Sequence, residues 1–499
     1  MKWIISKNNQ VISLNEIPVL GIDELRNEII KQYKTDKRVV GFFGCAEYSN
    51  VRLYTILADD NKSELLISSV RFMAGEKSYP SITKDISAFQ MFEREFYEEF
   101  GIEPVGHPWL KPVRYSKNRF DKTQKIENYP FFKMDGEEVH EVAVGPIHAG
   151  VIEPGHFRFM CNGEKVYHLE IQLGYQHRGT ESLFENNNNF APHLAESIAG
   201  DTVIGHAITY SNAVEALLNI KISDKAELIR VLALELERIA VHIGDLGAIS
   251  NDIGYLMGNS VFGATRTLVI NTLLSICGSR FGRGLIRVGG VAFDIDIELS
   301  EKISKTLDKV LKDVDKMTET MFSSASVLSR LEKTGTLSME KAKMIGLVGI
   351  ATRASGLSLD ARADHSWGWY KKFSFDKEIL ESGDVFARTH IRYKEIKQSM
   401  NIIKELLNQI QDCKEDILLV KSKNQLLGNS MVVSMVEGWR GEAVHTALTN
   451  NEGQIFRYKI KDPSFNNWYG LALAVRNNGI SDFPLCNKSF NLSYCGNDL

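Results

Sequence analysis

No Cys-x-x-Cys pair occurs anywhere in the 499 residues of this chain. Its six cysteines, Cys45, Cys161, Cys277, Cys413, Cys486 and Cys495, are scattered, and only the last two are near neighbours. Zinc ribbons, cysteine-ligated iron–sulfur clusters and disulfide frameworks need closely spaced pairs, so all three are disfavoured. Free thiols in a reducing compartment are expected instead. Long apolar runs are also missing. Val231–Leu236 is broken by Glu235 and followed by Glu237 and Arg238, and nothing approaches the roughly 20 apolar residues that span a bilayer. The opening Met-Lys-Trp-Ile-Ile-Ser-Lys is too short in its apolar part for a signal peptide. The expectation is a cytoplasmic chain that reaches the inner face of the membrane through partners. A net charge of −4 gives no reason to expect nucleic acid or anionic lipid as a direct ligand. No G-x-G-x-x-G follows a strand-like run, so a dinucleotide would bind elsewhere. No internal repeat is evident.

What is present reads as a multidomain globular protein, 43% apolar and 24% charged. Residues 1 to about 115 alternate strand-like runs (Val39–Phe43, Arg52–Leu57, Leu65–Phe72) with an amphipathic helix over Ile86–Glu99 that Gly101 caps. The polar, basic stretch from Tyr115 reads as a linker. A second unit opens near Val139, with strands over Phe157–Met160 and Lys165–Gln172 joined by an Asn-Gly turn at 162–163. From Ala191 the pattern is helical for some 220 residues. In Ala226–Ile249 the apolar Ile229, Leu232, Leu236, Ile239 and Ile243 recur at helical spacing, with Glu235, Glu237 and Arg238 between them. Glu301–Leu331 and Tyr393–Gln411 are expected as further long helices, Asn186–Asn189 as a loop, and β-type residues return after Gly428.

Several segments bear a family likeness. Glu93-Arg-Glu with the Gly106-His-Pro turn resembles the complex I C-type subunit, a docking domain, which favours a structural role for His107. Val139-His-Glu-Val, Gly145-Pro-Ile-His with Ile152-Glu-Pro-Gly-His, and Leu173-Gly-Tyr-Gln-His-Arg-Gly resemble the complex I D-type subunit. The closer likeness is to group-4 [NiFe]-hydrogenase large subunits fused to a C-type domain. The likeness continues through Glu235-Leu-Glu-Arg-Ile with His242, Arg287-Val-Gly-Gly-Val, Arg353-Ala-Ser-Gly, Val436-Glu-Gly-Trp-Arg-Gly-Glu and Lys461-Asp-Pro-Ser-Phe, in family order and over nearly the whole chain. It implies an α+β architecture. Residues 1–115 would form a small N-terminal α/β docking domain, 116–138 a linker, and 139–499 a large, mainly helical hydrogenase-large-subunit-like domain with flanking β segments.

In that family two C-x-x-C pairs clamp nickel and iron. Here they fall on Ala199 and Thr202, and on Ser464 and Asn467, none of which can be a thiolate. The resemblance therefore implies a metal-lacking member in which the nickel–iron pocket persists as a shaped hollow. It also implies a proton-relaying glutamate at Glu153, a quinone-like acceptor held by Tyr210 with His148 or His156 (His156 slightly favoured), and an ion pair between Asp201 and Arg440 across the pocket. Beside these stand blander readings: Tyr210 as a core tyrosine, Glu153 as a turn cap, His206 as a satisfied core histidine. This chain would bind no metal or cluster itself. Implied partners are an iron–sulfur small subunit of complex I B-type, a ferredoxin-like iron–sulfur subunit, and membrane subunits of complex I H-type and antiporter-like type that translocate ions. An active hydrogenase and a non-catalytic scaffold remain as alternatives. The Asn- and Ser-rich end, from Asp482, is expected to dock on a partner subunit.

Overall fold

The computed structural model describes every residue except 149, 151, 186–189, 414–416 and 422–424. The expected Asn loop at 186–189 lies outside the described residues.

The first strands are β1 (Ile4–Ser6), β2 (Val11–Ser13), β3 (Val19–Leu20), β4 (Arg38–Glu47), β5 (Asn50–Asp59) and β6 (Glu64–Phe72), with helix α1 (Ile22–Tyr33) between β3 and β4. They form a sheet of order β1-β6-β5-β4, with β3 parallel to β6. Helix α2 (Gln90–Phe100) covers it, flanked by the short parallel pair β7 (Ser78–Pro80) and β8 (Glu103–Val105). Alternation along β5 sends Leu53 and Leu57 to the helices α1 and α2, while Tyr54, Ile56 and Ala58 face the other way. Both faces are buried, which is why these strands read as near-continuous apolar runs. Gly101 ends α2 in the left-handed region at φ 71°. A Cβ there would lie 2.4 Å from the Phe120 ring, so both the backbone and the packing require glycine.

The far face of the sheet packs on a second sheet from the C-terminal part, β14 (Ser430–Glu437), β15 (Glu442–Thr449) and β16 (Ile455–Lys461). Strand β2 is not part of the N-terminal sheet and pairs instead with β14, Ser13 opposite Ser430. Residues 1–115 and 139–499 are thus joined by a shared core and a shared sheet.

The second unit opens with the antiparallel β9 (Val139–Val144), β10 (His156–Asn162) and β11 (Lys165–Gln172). Asn162 pairs with Lys165, so the turn is Gly163-Glu164, one residue beyond the expected Asn-Gly. Two short helices, α3 (Thr180–Phe184) and α4 (Pro192–Ala195), lead to α5 (Val203–Leu218), α6 (Asp224–Asp252) and α7 (Leu256–Cys277). Ser223 caps α6, its Oγ accepting the Ala226 N–H at 3.1 Å. Among the described residues α7 is the one helix long and apolar enough to cross a membrane, yet it packs between α6 and α8 with Phe262, Val269 and Leu273 buried. After a small ribbon, β12 (Ile286–Arg287) with β13 (Gly290–Val291), come α8 (Ile297–Phe322), α9 (Ala325–Leu331), α10 (Met339–Met344), α11 (Gly349–Arg353), α12 (Ala361–Asp364) and α13 (Val385–Asp412). The single helix expected over Glu301–Leu331 is broken between α8 and α9 at Ser323-Ser324.

The charges of α6 lie inside the protein: Glu235 and Arg238 are fully buried and Glu237 is 5% exposed. One expectation needs correction: the C-terminal stretch does not project toward a partner. After α14 (Pro463–Ala474) and α15 (Phe483–Phe490), the last helix α16 (Tyr494–Asp498) lies inside the protein, with Leu492, Tyr494, Asp498 and Leu499 all buried. Its apolar side chains and polar backbone both find partners on the same chain.

Candidate functional site

The turn Ala199–Thr202 leads directly into α5, whose first free amides, Ile204 and Gly205, donate to the Glu237 carboxylate at 2.7 and 3.2 Å. Opposite stands Arg440, in the turn between β14 and β15. Its Nη1 and Nη2 donate to the two Asp201 oxygens at 2.8 and 2.6 Å, and Nη1 also to Thr202 Oγ1 at 3.1 Å. The Nε–H donates to the Asn491 carbonyl. The guanidinium stacks 3.9 Å over the Trp439 ring, and the Trp439 indole N–H donates to the Asp201 carbonyl at 2.7 Å. Arg440 is buried; the Asp201 side chain is 42% exposed. Burial would lower the Arg440 pKa, but Asp201 raises it beyond its ordinary value. The sequence-expected ion pair is thus a bidentate clamp, half open to the surface.

The second vacated pair starts α14. Asp462 caps the helix through the Ser464 N–H at 2.7 Å. Ser464 Oγ accepts the Ser493 N–H at 2.9 Å, and Asn467 both accepts from the Val348 N–H at 3.1 Å and donates to its carbonyl at 3.0 Å. Residues 491–496 therefore thread between the two places. Asn491 is held by Arg440, Ser493 by Ser464, and a Cβ on Gly496 would come within 2.7 Å of the Asp462 carboxyl. The close approach continues at Gly349 (φ 66°), where a Cβ would overlap the Arg440 carbonyl oxygen.

A nickel–iron centre does not fit this donor set. Ala199 offers no ligand atom; Thr202, Ser464 and Asn467 are spent on protein hydrogen bonds, and all four are 2% exposed or less. Cys495 approaches the Gly200 amide, but burial pushes its pKa up to about 11, so it stays a thiol. None of the main cavities among the described residues is lined by any of the four. The shaped hollow expected from the sequence is instead filled by the chain's own C-terminal segment. Among the described residues no group of three or more His, Cys, Asp or Glu side chains is arranged to hold a metal ion.

The other expected site residues are dispersed. Glu153 accepts the Cys495 N–H at 3.0 Å, which ties the first β-loop to the C-terminal segment. His148 stands 5.6 Å from the Phe157 ring and 6.2 Å from Tyr494, and its buried Nε2 makes no hydrogen bond among the described residues. His156 lies at the start of β10 against Phe131, at 4.7 Å, with Arg158 beside it; burial and that arginine lower its pKa. Tyr210 is not brought to either histidine. It packs between Phe184 and Tyr458, accepts the Ala191 N–H at 3.0 Å, and burial pushes its pKa up to about 12. Its ring belongs to an apolar cluster with Phe184, Val214 and Tyr458, and the Ala191 amide is bonded to its oxygen. His107 braces its turn, its Nδ1 accepting the Trp109 N–H at 3.0 Å.

His206 is a satisfied core histidine in a buried chain that sequence reasoning missed. Tyr458 hydroxyl and His445 Nδ1 are 2.8 Å apart, His445 Nε2 and His206 Nδ1 3.1 Å, and His206 Nε2 and Asp462 Oδ2 3.0 Å. Asp462 was visible beside the vacated Ser464. Its partners come from three other elements, and no spacing in sequence announces them.

Fold and site together define a two-part scaffold: a covered α/β sheet clasped to a helical domain of hydrogenase-large-subunit type, whose thiolate positions hold non-sulfur residues. Residues 28–133 match the family model of the respiratory-chain NADH dehydrogenase 30-kDa subunit, and residues 252–429 that of the 49-kDa subunit. Over 444 residues the chain is 27% identical to hydrogenase-4 component G of Escherichia coli K12, covering 85% of this chain and 76% of that one. With the membrane-bound hydrogenase subunit alpha of Pyrococcus furiosus it shares 30% identity over 368 residues, 70% of this chain and 85% of the relative. A subunit in the structure of the membrane-bound sulfane sulfur reductase, an archaeal respiratory membrane complex, superposes with a TM-score of 0.68 at 21% identity, over 74% of this chain and all of that one. The chain belongs to the family of fused complex I C/D-type (30-kDa/49-kDa) subunits, the group-4 hydrogenase large-subunit family.

Proposed function

We propose that this chain is the large subunit of a membrane-associated, complex I-like assembly in which the ancestral nickel–iron position has become a protein-filled joint. The observation that carries this reading is the commitment of Thr202, Ser464 and Asn467 to Arg440, Ser493 and Val348. Of the four thiolate positions one holds an alanine with no ligand atom and three hold groups already bonded to the protein, so hydrogen turnover at this position has no metal to use. Electrons in the assembly are carried by iron–sulfur partners of the B-type and ferredoxin-like kinds, docked at the open side of the Asp201–Arg440 clamp. Ions are moved by H-type and antiporter-like membrane subunits. Metal analysis of the purified assembly tests it: iron in the amount of the partner clusters and no nickel is expected, and one nickel per copy of this chain would overturn the reading.

A second reading, electron transfer to a quinone-like acceptor coupled to protonation through Glu153, is favoured by one specific observation. Among the described residues the buried Nε2 of His148 lacks a partner, and it sits beside Tyr494, whose hydroxyl interacts with Asn487. A histidine and a tyrosine could each donate to one quinone carbonyl, so on this reading His148 and Tyr494 take the roles the sequence suggested for His156 and Tyr210. In the assembled complex His148→Gln is then expected to raise the KM for quinone by roughly tenfold, the worth of one buried hydrogen bond, and Tyr210→Phe to leave it unchanged. An unaltered KM in His148→Gln would leave the scaffold reading alone.

A further inference from the structure

A second set of ionisable groups lies wholly inside the helical domain. Glu235, Arg238 and His242 recur on one face of α6. Against them α11 brings Arg353, α12 and the residue before it bring Arg362 and Asp360, α13 brings Glu395, and β14 brings Glu437. Every one is 2% exposed or less. Arg353 bridges Glu395 at 2.7 Å and Glu437 at 2.8 Å; Arg362 holds Asp360 at 2.7 Å; Arg238 meets Glu235 at 3.2 Å. His242 Nε2 faces Glu395 at 2.9 Å, while its Nδ1 makes no hydrogen bond among the described residues. Tyr370 and Ser399 donate to Glu235.

The charges do not balance. Glu235, Asp360, Glu395 and Glu437 face Arg238, Arg353 and Arg362, four carboxylates against three guanidiniums. The neighbours do not correct this: Asp245 is paired with Arg392, Asp364 with Lys377, Asp201 with Arg440, and Lys461, which also faces Glu437, with Glu442 opposite it on β15. Glu237, the remaining carboxylate nearby, is bonded only to amides of α5. An uncompensated buried charge is strongly disfavoured, and one proton removes it. Burial pushes Glu437 up to about 7, although Arg353 opposes the shift. Burial would raise Glu395 too, but Arg353 and His242 hold it well below the usual carboxylate range, and burial lowers His242. Of these groups, Glu437 is the one left to carry the proton.

We propose that this network is a proton-binding site, taking up one proton per chain from solvent onto Glu437 and giving it back, and that the turn between β14 and β15 couples its charge to the Arg440–Asp201 clamp. Glu437 ends β14 just before that turn, and Arg440 lies within it. Arg238 donates to the carbonyls of Glu437 at 2.7 Å and Gly438 at 3.1 Å, and His242 lies edge-to-face on Trp439 at 6.3 Å. Trp439 in turn carries the Arg440 guanidinium. The site stands independently of whether an electron acceptor reaches the chain.

Infrared titration of the full-length protein tests this directly. The wild type is expected to show a buried carboxylic-acid C=O band near pH 6 that is lost by about pH 9. A second component is expected from Glu237, which burial also pushes up to about 8. Glu437→Gln should remove one component and Glu237→Gln the other. In Asp201→Asn the freed Arg440 cation should lower the Glu437 midpoint by about one pH unit. A wild-type protein with no such band overturns the proposal whether or not any variant folds, as does a titrating band that Glu437→Gln leaves intact. A midpoint unmoved by Asp201→Asn overturns the coupling to the clamp.

Discussion

A chain cut after Phe490 is expected to fail to reach a stable fold, even with no partner subunit present. Residues 491–499 carry Leu492, Tyr494, Cys495 and Leu499, each less than one-tenth exposed. Tyr494 alone lies against Trp468 at 4.9 Å and Phe157 at 6.4 Å. Fully burying a large apolar side chain contributes about 1.5–3 kcal/mol, so losing three of them costs roughly 4.5–9 kcal/mol before any cavity term. The cut also strips bonds that nothing else can replace. The Arg178 and Gly179 amides lose the Leu499 oxygen they share at 2.8 and 3.0 Å, Ser464 loses Ser493, and Arg440 loses Asn491. Total stability of a domain is of the order of 5–15 kcal/mol, so the sum is comparable with the whole. Thermal unfolding of the full-length and shortened proteins is the measurement. A shortened chain melting within about 2 °C of the full one would show that the segment is an appendage, as the sequence first suggested.

That error is instructive about what the sequence could and could not disclose. The N-terminal strands, the Gly101 cap and the long helices were legible because each rests on local rules: alternation, helical spacing, a glycine in the left-handed region. The bidentate contact of Asp201 and Arg440 was legible for a different reason, since family resemblance placed both residues around one pocket. Asp482–Leu499 misled because Asn, Ser and Lys look solvated. Their backbone and hydroxyl groups in fact satisfy buried partners, Ser493 with Ser464 and Asn491 with Arg440 and Asp245. The burial of Glu235, Glu237 and Arg238 was not legible for a related reason, since the local pattern does not disclose the charges that oppose them. Those opposing charges, Arg353, Arg362 and Glu395, arrive from more than a hundred residues away. Tyr210 shows the converse limit: a matching motif located the residue but could not show that Phe184 and Tyr458 enclose it.

Arg353→Met is expected to be the most damaging point substitution in the helical domain. The guanidinium is fully buried and serves Glu395 and Glu437, with the Leu359 carbonyl as a third acceptor at 2.8 Å. Methionine fills much of the space, so packing changes little and the effect is electrostatic. Four carboxylates are then left with two guanidiniums, and breaking one side of such a buried arrangement costs about 3–5 kcal/mol. The loss should depend on pH with a definite sign. Arg353 holds Glu395 below its unfolded pKa; without it, burial raises the folded pKa above the unfolded value. A carboxyl of that kind stabilises the fold when protonated, so the variant should recover stability as pH falls from about 8 toward 5.5, at up to about 1.4 kcal/mol per pH unit per group. In the wild type Glu437 already behaves this way, its stabilisation being full below its unfolded value and lost as pH rises through about 7. Removing one of the stranded carboxylates should rescue part of the loss. Arg353→Met combined with Glu437→Gln is expected to be more stable than the two separate effects predict, by about 0.5–3 kcal/mol. Urea unfolding of the four proteins at two pH values decides the matter. A cost for Arg353→Met below about 1 kcal/mol, or one that does not change with pH, would mean that water reaches the network and that its charges need no partners.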